Sequence, residues 1–195
     1  MGIYSIKPAF QRRLTSVRDG AIRRGVSADA LTISAVAFSV AGAACLAFSS
    51  RFAWLLLAVP VLAMGRITLN ALDGLVATST GTARPIGEVL NEFSDRLSDV
   101  AWFAGLAVVT KPILMLSVLV LVLLGSYLGT VVKAAGGPRV YSGVMGKADR
   151  MIVLSVASVA AFLFGPGALI AGTVLIGIGS VVTIVQRAMI ARRQL

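Results

Sequence analysis

The chain has 195 residues, 57% of them hydrophobic, and a mean hydropathy of +0.92, which excludes a soluble domain of this size and points to an integral membrane protein. Its net charge of +10 is concentrated at the flanks of the apolar stretches, which argues for membrane topology and contact with anionic lipid rather than nucleic acid. One cysteine, Cys45, and no histidine exclude an intrachain disulfide and a zinc site.

In chain order, residues 1–26 read as a cytoplasmic, interfacial amphipathic helix. Phe10, Leu14, Val17 and Ala21 recur at helical spacing, while Arg12, Arg13, Arg23 and Arg24 mostly fall elsewhere on the wheel, toward lipid headgroups. Gly25 is expected to end this helix and Ser27 to cap the next. The basic leader is long for a cleaved signal peptide and is read as retained. Residues 27–195 then form one all-α membrane domain. Six apolar stretches are expected to span, at 28–49, 52–76, 86–109, 112–134, 150–165 and 167–186. Cys45 lies in the first and is expected to pack in the core. Lys and Arg crowd both termini and the connections after the second and fourth stretches, whereas the opposite loops hold only Arg51 and Lys111. Both ends and the 70–99 connection are therefore expected on the cytoplasmic side.

Five of the eight acidic residues fall within residues 70–99. On a helix turning about 100° per residue, Glu88, Glu92, Asp95, Asp99 and Asn91 share an arc of about 100°. The preceding stretch carries a matching stripe of Arg66, Asn70, Asp73 and Ala77, with Gly74 beside it to admit a close approach. A short connection makes the two helices expected antiparallel neighbours with facing stripes. Asp99 lies about 20 Å beyond the start of its helix, and an acid at the bilayer midplane costs about 2.5–3.5 kcal/mol on insertion scales. Such acids must line a wet cavity, pair with Arg66 and Arg96, or bind a cation. Oxygen ligands without His or Cys suit Mg²⁺, Mn²⁺ or Ca²⁺. A metal site, a proton or ion pathway and an ion-paired seam all remain open on chemistry alone.

The stretch "NALDGLVATSTGTARPIGEVLNEFSD" resembles the signature of the CDP-alcohol phosphatidyltransferases, D-x2-D-G-x2-A-R-x8-G-x3-D-x3-D. Asn70 stands at the first Asp position. Asp73, Gly74 and Ala77 match next, Thr78 replaces the arginine, Gly87 follows after eight residues, Asn91 takes the third Asp position and Asp95 the fourth. The basic leader with "KP", the six apolar stretches and "GKADR" at residues 146–150 extend the resemblance over nearly the whole chain. It implies two divalent ions held by four aspartates, gripping the pyrophosphate of a CDP-linked lipid. An alcohol attacks the lipid-side phosphorus, CMP leaves, and the last aspartate is the proposed base. It also implies a homodimer.

The departures matter, because two asparagines remove two charges while keeping carbonyl ligands. Glu92 and Asp99, on the same face, could restore them. Asp95 is the first candidate for catalytic base and Asp99 the second. Asn70, Asp73, Asn91, Glu92 and Asp95 are the candidate ligands for Mg²⁺ or Mn²⁺. Asn70, Asp73, Gly74, Ala77, Thr78 and Gly87 are the nucleotide-binding candidates. Arg84, Lys133, Arg139, Lys147 and Arg150 are candidates for phosphate or acceptor, with Arg84 able to stand in for the missing signature arginine. Glu88 reads as a helix N-terminal acid favoured by the dipole.

The leading expectation is a metal-dependent transferase of phospholipid synthesis, joining a CDP-linked donor to a hydroxyl acceptor. The rival is a catalytically degenerate relative that binds lipid or a partner protein. A small ion transporter is disfavoured by the absence of repeat halves with broken helices. Arg in excess of Lys, with abundant Ala, Gly and Val, suits a GC-rich bacterial genome and hence a bacterial inner membrane.

Overall fold

The computed structural model describes residues 14–195, so the expectations for Lys7, Phe10, Arg12 and Arg13 fall outside the described residues. The described residues are helical, with no strand among them. Helix α1 (Thr15–Arg23) stops at Gly25, whose φ of +68° only glycine adopts freely. Leu14, Ala21 and Ile22 pack on Leu31, Leu72 and Val76 of the bundle, and Val17 is exposed.

Ser27 caps helix α2 (Ala28–Ala47), its hydroxyl accepting from the Ala30 amide at 3.2 Å. A 3₁₀ turn (Ala53–Leu57) leads into α3 (Ala58–Ser79), which keeps Pro60 in its first turn, where no amide is needed. Helices α4 (Pro85–Val109) and α5 (Pro112–Ala134) both begin on proline, for the same reason. In α6 (Lys147–Phe164), Asp149 accepts from the Gly146 amide at 2.9 Å and closes the N-terminus. Gly165, at φ +100°, turns the chain into α7 (Gly167–Gln194).

Among the described residues, four segments are long and apolar enough to cross a membrane: Ala28–Ala47, Ala53–Ser79, Pro112–Ala134 and Gly167–Gln194. Two expected spans lie outside this set for a physical reason. Helix α4 carries Glu88, Glu92, Asp95, Arg96 and Asp99, and α6 is 18 residues long and begins with Lys147, Asp149 and Arg150. Large apolar side chains such as Phe93, Ile113, Val156 and Phe164 project outward, the pattern of a surface solvated by lipid. Inside, Trp102, Phe103, Leu106, Met115, Leu154 and Ile176 form the core, with Cys45 packed against it. Buried hydroxyls of Ser39, Thr173 and Ser180 each donate to the carbonyl four residues back and so bury no unpaired donor.

Glycine sets the closest crossing. A Cβ at Gly42 would lie 1.9 Å from the Trp102 ring, and one at Gly105 would lie 2.4 Å from the Ala43 carbonyl oxygen. Small residues thus bring α2 tightly against α4. Helix α2 also packs along α3, while α3 and α4 make no comparably close backbone contact with each other. The neighbour relation expected from their short connection is replaced by a gap with α2 at its back. That gap is the cavity.

Candidate functional site

The polar side chains between α3, α4 and α6 form three layers. The innermost is buried. Arg66 of α3 is 0% exposed and Asp99 of α4 is 1% exposed. Arg66 Nη2 donates to Asp99 Oδ1 at 3.3 Å, and Arg150 Nη2 of α6 donates to Asp99 Oδ2 at 2.9 Å. Arg66 also reaches the Asp95 carbonyl at 3.3 Å, and Arg150 the Met145 carbonyl at 3.3 Å. One carboxylate flanked by two buried guanidiniums ties three helices together, and removing the carboxylate would strand both cations. Asp99 does not line the cavity, which separates it from Asp95, the other candidate base. A base must reach a substrate proton, so its placement removes it from that role.

The middle layer carries the signature positions, and they pair crosswise. Asn70 Nδ2 on α3 donates to Asp95 Oδ1 on α4 at 3.1 Å. Asn91 Nδ2 on α4 donates to Asp73 Oδ2 on α3 at 2.7 Å. Each aspartate therefore meets an amide from the opposite helix across the gap. Thr32 of α2 adds a hydrogen bond to Asp73 Oδ2 at 2.7 Å, and the Gly74 amide donates to Asp73 Oδ1 at 2.6 Å. Lys147, the first residue of α6, donates to both oxygens of Asp95 at 2.8 Å. Arg96 Nη2 stands 3.8 Å from Asp95 and 3.9 Å from Asp99.

The outer layer is partly to fully exposed and ion-paired. Glu88 pairs with Lys133 and lies 3.9 Å from Arg139. Glu92 pairs with Arg139, whose guanidinium stacks 4.4 Å from the Tyr141 ring centre. Arg84 pairs with Asp29 at the start of α2. Glu88 is thus both an N-terminal helix acid and a partner for two cations.

Middle and outer layers open on one cavity of about 630 Å³. Asn70, Asp73, Gly74, Ala77 and Thr78 line it from α3. Gly87, Asn91, Glu92 and Asp95 line it from α4, with Arg84 at the start of that helix. Arg139, Lys147 and Arg150 line it from the other side. Of the sequence candidates, Lys133 joins Asp99 in standing outside. A Cβ at Gly74 would meet nothing within 4 Å, so that stretch of α3 presents bare backbone to open space. Glu92 lines the cavity with Asp73 and Asp95, and its carboxylate is paired with Arg139.

Two contributors escape sequence reasoning. Thr32 has no signal in an apolar stretch. Arg187, read as a topology charge after the last span, lies within α7. It donates to the carbonyls of Gly125 at 2.6 Å, Ser142 at 2.9 Å and Tyr141 at 3.2 Å. It fastens the 135–146 connection, which carries Arg139 and leads into Lys147.

The donor chemistry fits a hard divalent ion. Among the described residues no three of His, Cys, Asp and Glu converge. Magnesium, however, is commonly held by one or two carboxylates together with substrate phosphates. Asp73 and Asp95, with the amide oxygens of Asn70 and Asn91, supply such a set.

No family model matches the chain. Curated relatives do. It is 33% identical over 193 residues to the phosphatidylinositol phosphate synthase of Mycobacterium tuberculosis, spanning 93% of this chain and 86% of that protein. It is 29% identical over 166 residues to the inner membrane protein YnbA of Escherichia coli, spanning 84% and 82%. Crystal structures of the mycobacterial synthase, one with manganese and citrate and one with CDP-DAG bound, superpose with a TM-score of 0.77 at 30% identity over 92% of this chain. They are covered to 89% and 94% respectively. The likeness runs through sequence and fold together: the chain belongs to the CDP-alcohol phosphatidyltransferases, the transferase family of phospholipid synthesis.

Proposed function

We propose that the protein is a metal-dependent CDP-alcohol phosphotransferase. It moves a phosphatidyl or related phosphoalcohol group from a CDP-linked lipid to a hydroxyl acceptor and releases CMP. The observation that carries this reading is the crossed pairing of Asp73 and Asp95 with Asn91 and Asn70 around a single cavity. The reading places all six long helices across a bacterial inner membrane, with both termini and the cavity on the cytoplasmic side. Residues 1–26 form an interfacial segment and residues 27–195 the catalytic domain. The working unit is a homodimer, as the family resemblance implies.

In the transfer, the acceptor oxygen bonds to the lipid-side phosphorus. The P–O bond to the cytidylate breaks, and CMP leaves with its electron pair. The acceptor's proton passes to the Asp95 carboxylate, the last signature aspartate, which lines the cavity. Asp73 and Asp95, with Asn70 and Asn91, would hold Mg²⁺ or Mn²⁺, which when bound neutralises phosphate charge and polarises phosphorus. Lys147 and Arg96 set two fixed positive charges at the rim of Asp95, and Arg84 adds one near the missing signature arginine. Gly74 leaves α3 bare, so a diphosphate can approach backbone there.

One observation favours the binding-only reading. The amides of Asn70 and Asn91, with Lys147, already satisfy both aspartates. A single assay separates the two. Purified protein given CDP-diacylglycerol, Mn²⁺ and a panel of alcohols should release CMP, and Asp95→Asn should stop it. Absence of release across the panel, together with absence of metal binding, would leave the binding role.

A further inference from the structure

The two signature carboxylates that line the cavity are held in unlike ways. Among the described residues, every hydrogen bond to the Asp73 carboxylate comes from a neutral group: the Thr32 hydroxyl at 2.7 Å, the Asn91 side-chain amide at 2.7 Å and the Gly74 backbone amide at 2.6 Å. Asp95 is met by a cation. Lys147 Nζ donates to both of its oxygens at 2.8 Å, so one positive charge takes up the whole carboxylate. The Asn70 amide adds a bond to Oδ1 at 3.1 Å, while Arg66 and Arg96 stand 3.8 Å off, beyond hydrogen-bond reach of the carboxylate.

The kind of cation matters. Among the described residues that line the cavity, Lys147 is the only lysine, and the other cations are arginines. An ammonium is a compact, strongly hydrated point charge on a flexible stem, with three rotatable donors, whereas a guanidinium is a planar fork. The Lys147 side chain is 29% exposed and begins α6, so its head can leave Asp95 for water. Arg66 and Arg150, the partners of Asp99, are 0% and 5% exposed and have no such exit. A divalent ion needs the same oxygens. Mg²⁺ is commonly bound through one or two carboxylates together with substrate phosphates. Of the four signature positions, only Asp73 and Asp95 still carry a carboxylate. An ammonium and a divalent ion cannot both sit against Asp95 without strong like-charge repulsion.

We propose that Lys147 is a built-in competitor of the divalent ion: its ammonium holds the Asp95 carboxylate, an ion binds by displacing it, and Lys147 thereby sets the ion affinity of the site, a role that rests on the metal-dependent reading above. It also reconciles that reading with aspartates already satisfied by protein donors, because the partner of Asp95 is the one cation at the site built to withdraw. Once withdrawn, the ammonium remains beside the cavity, free to donate to the phosphate oxygens of a bound donor.

Manganese binding to the full chain in detergent tests the competition, read from the electron-spin resonance of free Mn²⁺ for the wild type, Lys147→Gln and Lys147→Arg. Lys147→Gln should bind Mn²⁺ about tenfold more tightly, because a like charge is removed from the site. Lys147→Arg, which keeps the charge, should bind no more tightly than the wild type. A lysine that served structure alone would leave affinity unchanged or weakened when lost, so the gain is the deciding readout. A second measurement needs no variant. Bound Mn²⁺ should raise the labelling of Lys147 by an amine-acylating reagent, with Lys111, exposed ahead of α5, as the reference. Thermal unfolding checks each variant, and if Lys147→Gln does not fold, the labelling decides. Equal or weaker Mn²⁺ binding by folded Lys147→Gln, labelling unmoved by bound Mn²⁺, or no binding by any of the three proteins overturns the proposal. Binding gained by Lys147→Gln where the wild type has none upholds it. CMP release from the same preparations is scored separately. Release by the wild type with equal ion affinities sinks the competition and leaves the transferase reading standing. Tighter binding by Lys147→Gln with no release by the wild type does the opposite.

Discussion

Asp99 and Asp95 lie one turn apart on the same face of α4, yet their surroundings assign them opposite work. Asp99 is sealed between Arg66 and Arg150, away from the cavity. Asp95 faces the cavity; Arg66 and Arg96 stand 3.8 Å away, and its hydrogen bonds come from an amide and an ammonium, partners that a substrate or ion can displace more readily than the two guanidiniums bonded to Asp99. Charge type alone therefore does not mark a catalytic acid in a membrane helix. The deciding features are which cation cancels it and whether water reaches it. The inner layer answers the cost of burying charge with geometry, and the middle layer keeps its carboxylates available.

The sharpest way to break this comparison is at Asp99. Asp99→Ala should destabilise the protein by about 3–5 kcal/mol, because two buried arginines lose their shared partner. Chemical unfolding in detergent measures it, and a loss under about 1 kcal/mol would show that the inner layer is not a structural lock. Asp95→Asn should do the reverse, lowering CMP release by about 10²–10⁴-fold with little change in unfolding midpoint. Full activity in that variant would remove Asp95 as the base. Gly105→Ala tests the packing that positions both aspartates. Its Cβ would meet the Ala43 carbonyl at 2.4 Å, which should cost about 1–3 kcal/mol as α2 is pushed from α4. The smallest effect belongs to Arg84→Ala. Its pair with Asp29 is exposed, so stability should change by less than about 1 kcal/mol. A reduced affinity for CDP-diacylglycerol in that variant, at unchanged stability, would assign Arg84 to the donor.

The helices and the polar stripes were legible because both follow from periodicity. Hydrophobic runs placed the bundle, Gly25 and Ser27 marked the first boundary, and intact spacing from Asn70 to Asp95 named the family. What was not legible depends on how helices sit against one another. A short connection made α3 and α4 expected neighbours, and only the glycine-tight approach of α2 shows why a gap opens instead. Glu92 shares the arc of Asp95, but the position of Arg139 on a remote connection decides where its carboxylate goes. Asp99 shares that arc too, and its exclusion follows from Arg150, which comes from α6. Arg187 resembles any flanking positive charge until three carbonyls from two segments are found around it.

That clasp has a consequence for exchangeability. The guanidinium of Arg187 is a planar fork, and it reaches carbonyls on α5 and on the 135–146 connection at once. A lysine would preserve the charge, and with it any electrostatic bias on orientation, but its donors radiate from a single atom and cannot bridge the same spread of acceptors. Arginine at 187 is thus held by shape rather than by sign. The cradle of Arg139 and Lys147 depends on a side chain that a charge census would score as ballast.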